Sequence, residues 1–538
     1  MYKSTFHSQL SPVEDLYHEP PSSPSAPGKT NHRGSTSSVA TLVDETTPFL
    51  STGIKSPLLL WESKDPYQHT MGCDHPYFYA MVMKADGVKE LKAIYKFAWP
   101  LMVTFLLGMG MKLVDVWFYG KLGSQVLAAT SLGGLFITVT GLALGNGMLT
   151  AIDTLVSQAF TGAQNSRTLG IILQRSILII GTFCVPVAVV WYHAEEILIM
   201  MGQDPKLASM AQVYANWSIL VIMPMMISTA IRRFLQSIGK MHITMYMIIV
   251  LFPLNYIVDY VLLYRLDWGM TGVALQFAIF HTTVLAVYTV FLYMGTDFKK
   301  KYWPGWTKEA CTQWNTFLKL GIPGMLSVST DWAFEVCAMV TGVLGETSLA
   351  AQSIVLSVNS FLLMVPFALS SALTVRLGHH LGASQPEKAK FCVLLSGMIG
   401  FCLISLNAMI MFGFRVPIAR HFTKDEQVIE AVTSLLSIVS PCHFVVGNGI
   451  LLSGVLNAFG KQYIVAALNL TSYYIIGLPF GIWLTFSYGW GLLGVWSGVV
   501  MAGMIKVAVE LFYLVRYIDW EEECRLAIKR VKDQELPL

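Results

Sequence analysis

The sequence predicts an all-α polytopic membrane protein, with twelve transmembrane helices in two six-helix lobes related by a pseudo-two-fold axis along the membrane normal. Three observations predict it. Of 538 residues, 54% are hydrophobic and only 13% charged, with a mean hydropathy of +0.56. That charged share is about half of what a soluble domain carries, so lipid is the solvent for most of the chain. Apolar runs recur at roughly the 20-residue length that crosses a bilayer as a helix. The chain also repeats itself: GKLGSQVLAATS (Gly120 to Ser131) returns as GVLGETSLAAQS (Gly342 to Ser353), 222 positions later.

The elements follow in chain order. From Met1 to about Asp65 the sequence is rich in Ser, Thr and Pro, with too little apolar surface to offset the entropy of ordering it, so it is expected to be disordered. With its approach, residues 1–90, it forms a cytoplasmic tail without the charged and apolar regions of a cleavable signal peptide. Within it, DETTPFL (Asp44 to Leu50) loosely resembles an acidic dileucine-type sorting signal. Twelve apolar segments then centre near Phe105, Val139, Ile180, Ile222, Leu251, Ala286, Val328, Met364, Phe401, Val445, Gly477 and Met504. The first six make an N-lobe over 91–298 and the last six a C-lobe over 299–517, followed by a tail over 518–538.

Basic residues set the orientation. Lys89, Lys92 and Lys96 precede the first segment, Arg232, Arg233 and Lys240 lie between the fourth and fifth, Lys299 to Lys301 between the sixth and seventh, and Arg525, Lys529 and Arg530 after the last. The positive-inside rule places these loops and both termini in the cytoplasm. Arg415, Arg420 and Lys424 argue weakly the other way, partly balanced by Asp425 and Glu426.

Four more landmarks share the repeat. Pro100-Leu-Met102 matches Pro323-Gly-Met325, and Gly162-Ala163 matches Gly382-Ala383. Leu235 to Lys240 matches Leu456 to Lys461, and Gly269 to Val273 matches Gly491 to Val495. A shift spanning six segments gives both halves the same orientation, hence an axis along the membrane normal. Two such lobes facing one another supply two packings that open to opposite sides, the basis of alternating access.

The stretch LTAIDTLVSQAFTGAQNSRTLGIILQRSILII (Leu149 to Ile180), with AAQSIV (Ala350 to Val355), GKQYIVAALNLTSYYIIGLPFGI (Gly460 to Ile482) and GLLGVWSG (Gly491 to Gly498), resembles the multidrug and toxic compound extrusion (MATE) family in its eukaryotic, fungal-like form. The resemblance covers the whole membrane body. It implies secondary antiport, in which organic cations or other xenobiotics leave the cytoplasm as protons, or in some members sodium ions, enter.

An ionised side chain at bilayer depth costs roughly 2.5 to 3.5 kcal/mol on insertion scales, so each one is a functional candidate. Asp115 lies in the first segment, and Asn255 and Asp259 in the fifth, spaced i,i+4 so that both project from one helix face. These three match, residue by residue, the N-lobe cation site that the resemblance implies. Two carboxylates close together in low dielectric can share one proton and exchange it with either side, and Asn255 adds a neutral oxygen or an amide donor. Lys112, three residues before Asp115, is placed to pair with it and so to modulate it.

In the seventh segment Asp331 and Glu335 share a face, and Glu335 matches an acid of the resemblance. The other acids of that pattern fall here on Thr330, Ser357 and Val446, so the C-lobe relay is reduced. Coupling is therefore assigned to Asp115, Asn255 and Asp259, and Glu335 with Asp331 to substrate contact or an auxiliary proton site. His281 in the sixth segment is a further candidate modulator, since an imidazole titrates near neutral pH. Asp153 and Gln158 are read as capping or inter-helix groups, and Arg175 and Arg376 as ties from helix ends to carbonyls or headgroups.

Other classes are excluded or disfavoured. The net charge of +3, from 36 basic and 33 acidic residues, leaves no surplus for nucleic acid. Eight scattered cysteines form neither a disulfide framework nor a metal site. There is no HExxH, no supported GxSxG and no phosphate-cradling GxxxxGK[ST], so no enzyme is expected, and no cofactor beyond a proton or sodium gradient. The expected partners are small organic substrates and the bilayer, with the chain a monomer in the plasma or vacuolar membrane. An uncoupled or lipid-linked substrate flippase on the same scaffold is the alternative; it wants a basic cavity, whereas the in-membrane charges are mainly acidic.

Overall fold

The computed structural model describes residues 85–294, 298–327 and 346–535. Eleven helices among the described residues are long and apolar enough to cross a membrane. In the N-lobe these are α1 (Ala85–Lys121), α2 (Ser124–Gly162), α3 (Arg167–Tyr192), α4 (Pro205–Ser237), α5 (Met241–Arg265) and α6 (Gly269–Met294). The C-lobe follows with α7 (Trp314–Ser327), α8 (Glu346–Gly382), α9 (Pro386–Gly413), α10 (Glu426–Ala458), α11 (Gln462–Ser487) and α12 (Leu492–Tyr517). A last helix, α13 (Trp520–Lys532), is amphipathic. α7 occupies the start of the seventh expected segment; the N-terminal tail, Thr330, Asp331 and Glu335 lie outside the described residues.

Local chemistry sets the boundaries. Asp204 caps α4 by accepting from the backbone N–H groups of Lys206 and Leu207 ahead of Pro205, and Asp425 caps α10 through the N–H of Gln427. The repeat seen in the sequence recurs in the backbone. Gly239 and Gly460, at matching turns before α5 and α11, have φ of 77° and 74°, and Gly269 and Gly491, at the starts of α6 and α12, have 54° and 53°. Only glycine takes these left-handed angles at little cost, which explains why glycine stands at both copies.

Within the N-lobe α1 packs on α5, and α4 on α2, α3 and α6; within the C-lobe α10 packs on α8, α9 and α12. Leu220, Val189, Ile475 and Phe486 point outward, as helices solvated by lipid require. After α6 a strap (298–313) lies against α3: Gln174 donates to the Gly305 carbonyl at 2.6 Å, and the fully buried Arg175 donates to the Glu309 carbonyl at 3.3 Å. Phe298 and Tyr302 of this strap join the N-lobe core, so the segment after 298 stays on the N-lobe before the chain enters α7.

The lobes meet where α2 and α1 cross α8. Every inter-lobe hydrogen bond and ion pair among the described residues lies at the face that carries the basic loops, the inner face. Thr154 and Gln158 of α2 donate to the carbonyls of Asn457 and Ala458, both at 2.7 Å, and Thr161 donates to that of His379 at 2.7 Å. Glu90 of α1 takes two hydrogen bonds from Arg376 of α8, with His380 at 3.2 Å. Glycines allow this approach: a Cβ on Gly382 would stand 2.1 Å from the Gln158 carbonyl oxygen, and one on Gly162 2.9 Å from that of Gly382.

Candidate cation site

Three helices bring the site together. Asp115 sits on α1, C-terminal to Pro100; Asn255 and Asp259 follow Pro253 on α5; Gln276 projects from α6. Directly after Asp259 the backbone widens into a π-helical turn, Tyr260–Arg265, a feature that often marks functional sites.

Asn255 is the centre of the cluster. Its Nδ2 donates to Asp115 Oδ1 at 2.6 Å and to Asp259 Oδ2 at 3.1 Å, so the two carboxyl groups face each other across one amide nitrogen. Its Oδ1 accepts from Gln276 Nε2 at 3.0 Å, and Gln276 Oε1 in turn accepts from the Tyr119 hydroxyl at 3.0 Å. The chain Tyr119, Gln276, Asn255 is thus oriented so that every donor points toward the carboxylates. Asn255, Asp259 and Gln276 are almost fully buried, and Asp259 Oδ1 has no hydrogen-bond partner. No basic side chain forms an ion pair with either aspartate among the described residues. A buried pair of carboxylates without a cationic partner is a place for a proton or a small cation.

Lys112 is exposed and makes no direct ion pair with Asp115, whose Oδ1 is taken by the amide across the helix interface, but its charge acts on that carboxyl through space. His281 also lies apart: its ring rests edge-on against Phe277 at 4.4 Å and Phe280 at 5.3 Å, centroid to centroid. Asp153 pairs with Arg233 inside the N-lobe, in line with an inter-helix role. Gln158 bonds across the seam, and Arg175 and Arg376 bind protein groups, the strap carbonyl and Glu90 respectively.

Sequence reasoning missed four residues. Tyr119 stands one turn after Asp115, and Gln276 is the lone amide of an apolar run; both are signals of a shared polar face. The other two are Lys506 and Glu510 of α12, charges inside the membrane span. Both are buried and 3.8 Å apart, and Glu510 also accepts from Ser453 of α10 at 2.8 Å. Their i,i+4 spacing in an apolar helix was the available signal.

Two lobes of six helices and a buried carboxylate-amide cluster define a polytopic membrane transport protein. The chain belongs to the MATE family: the family model MatE matches residues 100–261 and again 324–483, once in each half. It is 31% identical over 464 residues to multidrug and toxin extrusion protein 2 of Mus musculus, covering 84% of this chain and 79% of that protein. It is 30% identical over 441 residues to multidrug and toxin extrusion protein 1 of Homo sapiens, covering 82% and 77%. The fold superposes on the crystal structure of a eukaryotic MATE transporter with a TM-score of 0.77 at 24% identity, covering 82% of this chain and 99% of that one. A MATE transporter described in an outward-facing conformation gives 0.69 at 18% identity, covering 82% and 97%.

Proposed function

We propose that the protein is a secondary antiporter that exports organic, chiefly cationic, xenobiotics or metabolites in exchange for protons, by alternating access between its two lobes. The observation that carries this reading is the pair Asp115 and Asp259, bridged by one Asn255 nitrogen and lacking a basic partner. Such a pair is electrically incomplete until it takes a cation, and it empties again when access changes sides. Asn255 supports the proton reading, because its N–H groups face both carboxyls and hold them together around a shared proton, while its oxygen, which accepts from Gln276, keeps one lone pair that sodium could use instead.

The inner face, with its basic loops, is assigned to the cytoplasm. The bonded seam on that face then corresponds to a state closed to the cytoplasm. Glu335 and Asp331 are assigned, from the sequence, to substrate contact or an auxiliary proton site, and the plasma or vacuolar membrane is the assigned location. Relatives named as multidrug and toxin extrusion proteins support the substrate class.

The test is flux in sealed vesicles of purified protein under an imposed pH gradient, with and without sodium. Accumulation of an organic cation driven by the pH gradient alone is expected. Transport indifferent to both gradients would refute antiport, and dependence on sodium alone would move the coupling ion.

A further inference from the structure

We propose that α13 is a clasp on the cytoplasmic seam: a helix fixed to the C-lobe whose last turn grips the N-lobe and holds the two closed. The proposal rests on the alternating-access reading, because a clasp has work only if the lobes part.

The helix is well specified. Asp519 accepts from the N–H groups of Glu521 and Glu522, acids fill the first turn, and Lys529, Arg530 and Lys532 the last, each matched to the helix dipole. Its two ends hold different lobes. Toward the C-lobe the attachment is broad: Cys524 and Ala527 pack with Leu377, Leu381 and Phe459, and Trp520 meets Phe459 edge-on at 5.6 Å. Glu523 pairs there with Lys461 at 2.6 Å.

Toward the N-lobe the helix lies along α2, and its side-chain bonds there are polar. Arg530 spans the seam by itself, donating from Nη1 to Gln158 Oε1 of α2 at 3.2 Å and from Nη2 to the Phe459 carbonyl of the C-lobe at 2.6 Å. Gln534 accepts from Arg175 of α3, and Glu535 from the backbone N–H of Gln164 at 2.6 Å. Val531 alone adds an apolar contact, inserted in the N-lobe core. Arg175 is also the residue that holds the Glu309 carbonyl of the strap, so strap and clasp, which follow α6 and α12 at equivalent places, converge on one buried guanidinium.

The asymmetry sets the direction of release. Contacts made in only one of two states add to that state's population. The few bonds at Gln158, Arg175 and Gln164 break as the lobes part, while the apolar docking keeps the helix on the C-lobe. Loss of one hydrogen bond to a charged group, about 1.5 to 3 kcal/mol, moves a two-state population by roughly tenfold or more.

The experiment uses the full chain in lipid nanodiscs, with spin labels at Arg167 of the N-lobe and Lys388 of the C-lobe, both exposed on the inner face. The distance between them is read by pulsed electron paramagnetic resonance. The Arg530→Ala, Gln534→Ala double variant is expected to raise the ratio of wide to narrow distances about tenfold. A chain ended after Asp533, which removes Gln534 and Glu535 and leaves α13 whole, is expected to raise it by less. Glu90→Gln, which cuts the seam directly, is the comparison. If Glu90→Gln widens the distribution and both α13 variants keep the wild-type one, the clasp is overturned and alternating access stands. If no variant and no pH or substrate jump widens it, both readings fall together.

Discussion

Arg376 grips Glu90 through two parallel hydrogen bonds, Nε to Oε1 at 2.8 Å and Nη2 to Oε2 at 2.7 Å, across the line that divides the lobes. A two-point guanidinium-carboxylate contact is directional and among the stronger polar interactions. Both groups are mostly buried, so removing either strips the other of a two-point charged contact, although Glu90 keeps His380 at 3.2 Å. Glu90→Gln and Arg376→Gln should each lower the melting temperature in detergent, at a cost of about 3 kcal/mol, with the double variant losing less than the two singles together. Additive losses in a double-mutant cycle would show that the pair is not coupled.

Asp259→Asn should abolish pH-driven accumulation while the protein stays inserted, because the amide keeps the shape and loses the titratable charge. Gln276→Leu should act through Asn255: with no donor left to hold its oxygen, the amide can rotate away from the carboxyls, and the initial rate should fall about tenfold. Tyr119→Phe, one bond further out, should cost about threefold or less. Equal effects of all three would argue for general damage rather than a directed network.

Lys112→Met should shift the pH of half-maximal transport modestly, since the Lys112 ammonium, though exposed and not in direct contact with Asp115, acts on that carboxyl through space. An unmoved pH profile in vesicle flux would show that solvent screens this charge out.

Glu510→Gln should cost about 3 to 5 kcal/mol, because Lys506 would be left buried and unpaired, whereas the Lys506→Met, Glu510→Met double variant should be milder than either single change. Thermal inactivation half-lives in one detergent rank the three. A double variant worse than both singles would mean that the charges serve something other than each other.

Docking of α13 should be insensitive to pH between about pH 6 and 9. Partial burial disfavours the charge on Lys461, but Glu523 outweighs it and lifts the ammonium above its ordinary 10.5. A basic group raised on folding contributes fully below its unfolded value and loses that contribution only as pH climbs through the folded one. Hydrogen exchange of the 520–532 amides should therefore be flat over that range, after correction for the intrinsic rate. A change within it would place the controlling titration elsewhere.

Long apolar runs and matched glycines made the architecture legible, because lipid burial and left-handed turns each leave a compositional mark. Asn255 and Asp259 were legible as a pair for a similar reason, since i,i+4 spacing on one helix fixes a shared face. What spacing does not fix is the choice between partners on the same helix and across it. Asp115 lies within reach of Lys112 along α1, yet its oxygen meets Asn255 on α5, and only the packing of α1 on α5 decides this. Gln276 escaped notice because one amide in an apolar run carries no pattern. The grip of α13 was equally hidden: its amphipathic sequence announces a surface helix, but which two surfaces it joins depends on contacts 372 positions apart, such as Gln158 with Arg530.

Gly162 and Gly382 are copies of one another in the repeat, and they face each other across the seam. A residue that touches its own copy lies on the axis relating the copies, as in the isologous contact of a symmetric dimer. In an ancestor assembled from two identical six-helix chains, a single codon would have specified both sides of this crossing, and any side chain added there would have been felt twice. In a single chain the two copies are free to differ everywhere else along the seam. Gln158 faces the backbone of α10 on one side of the axis, and Gly378, its counterpart, merely makes room for Ser157 on the other. The glycine crossing keeps the symmetry of the repeat, and the side chains around it depart from it.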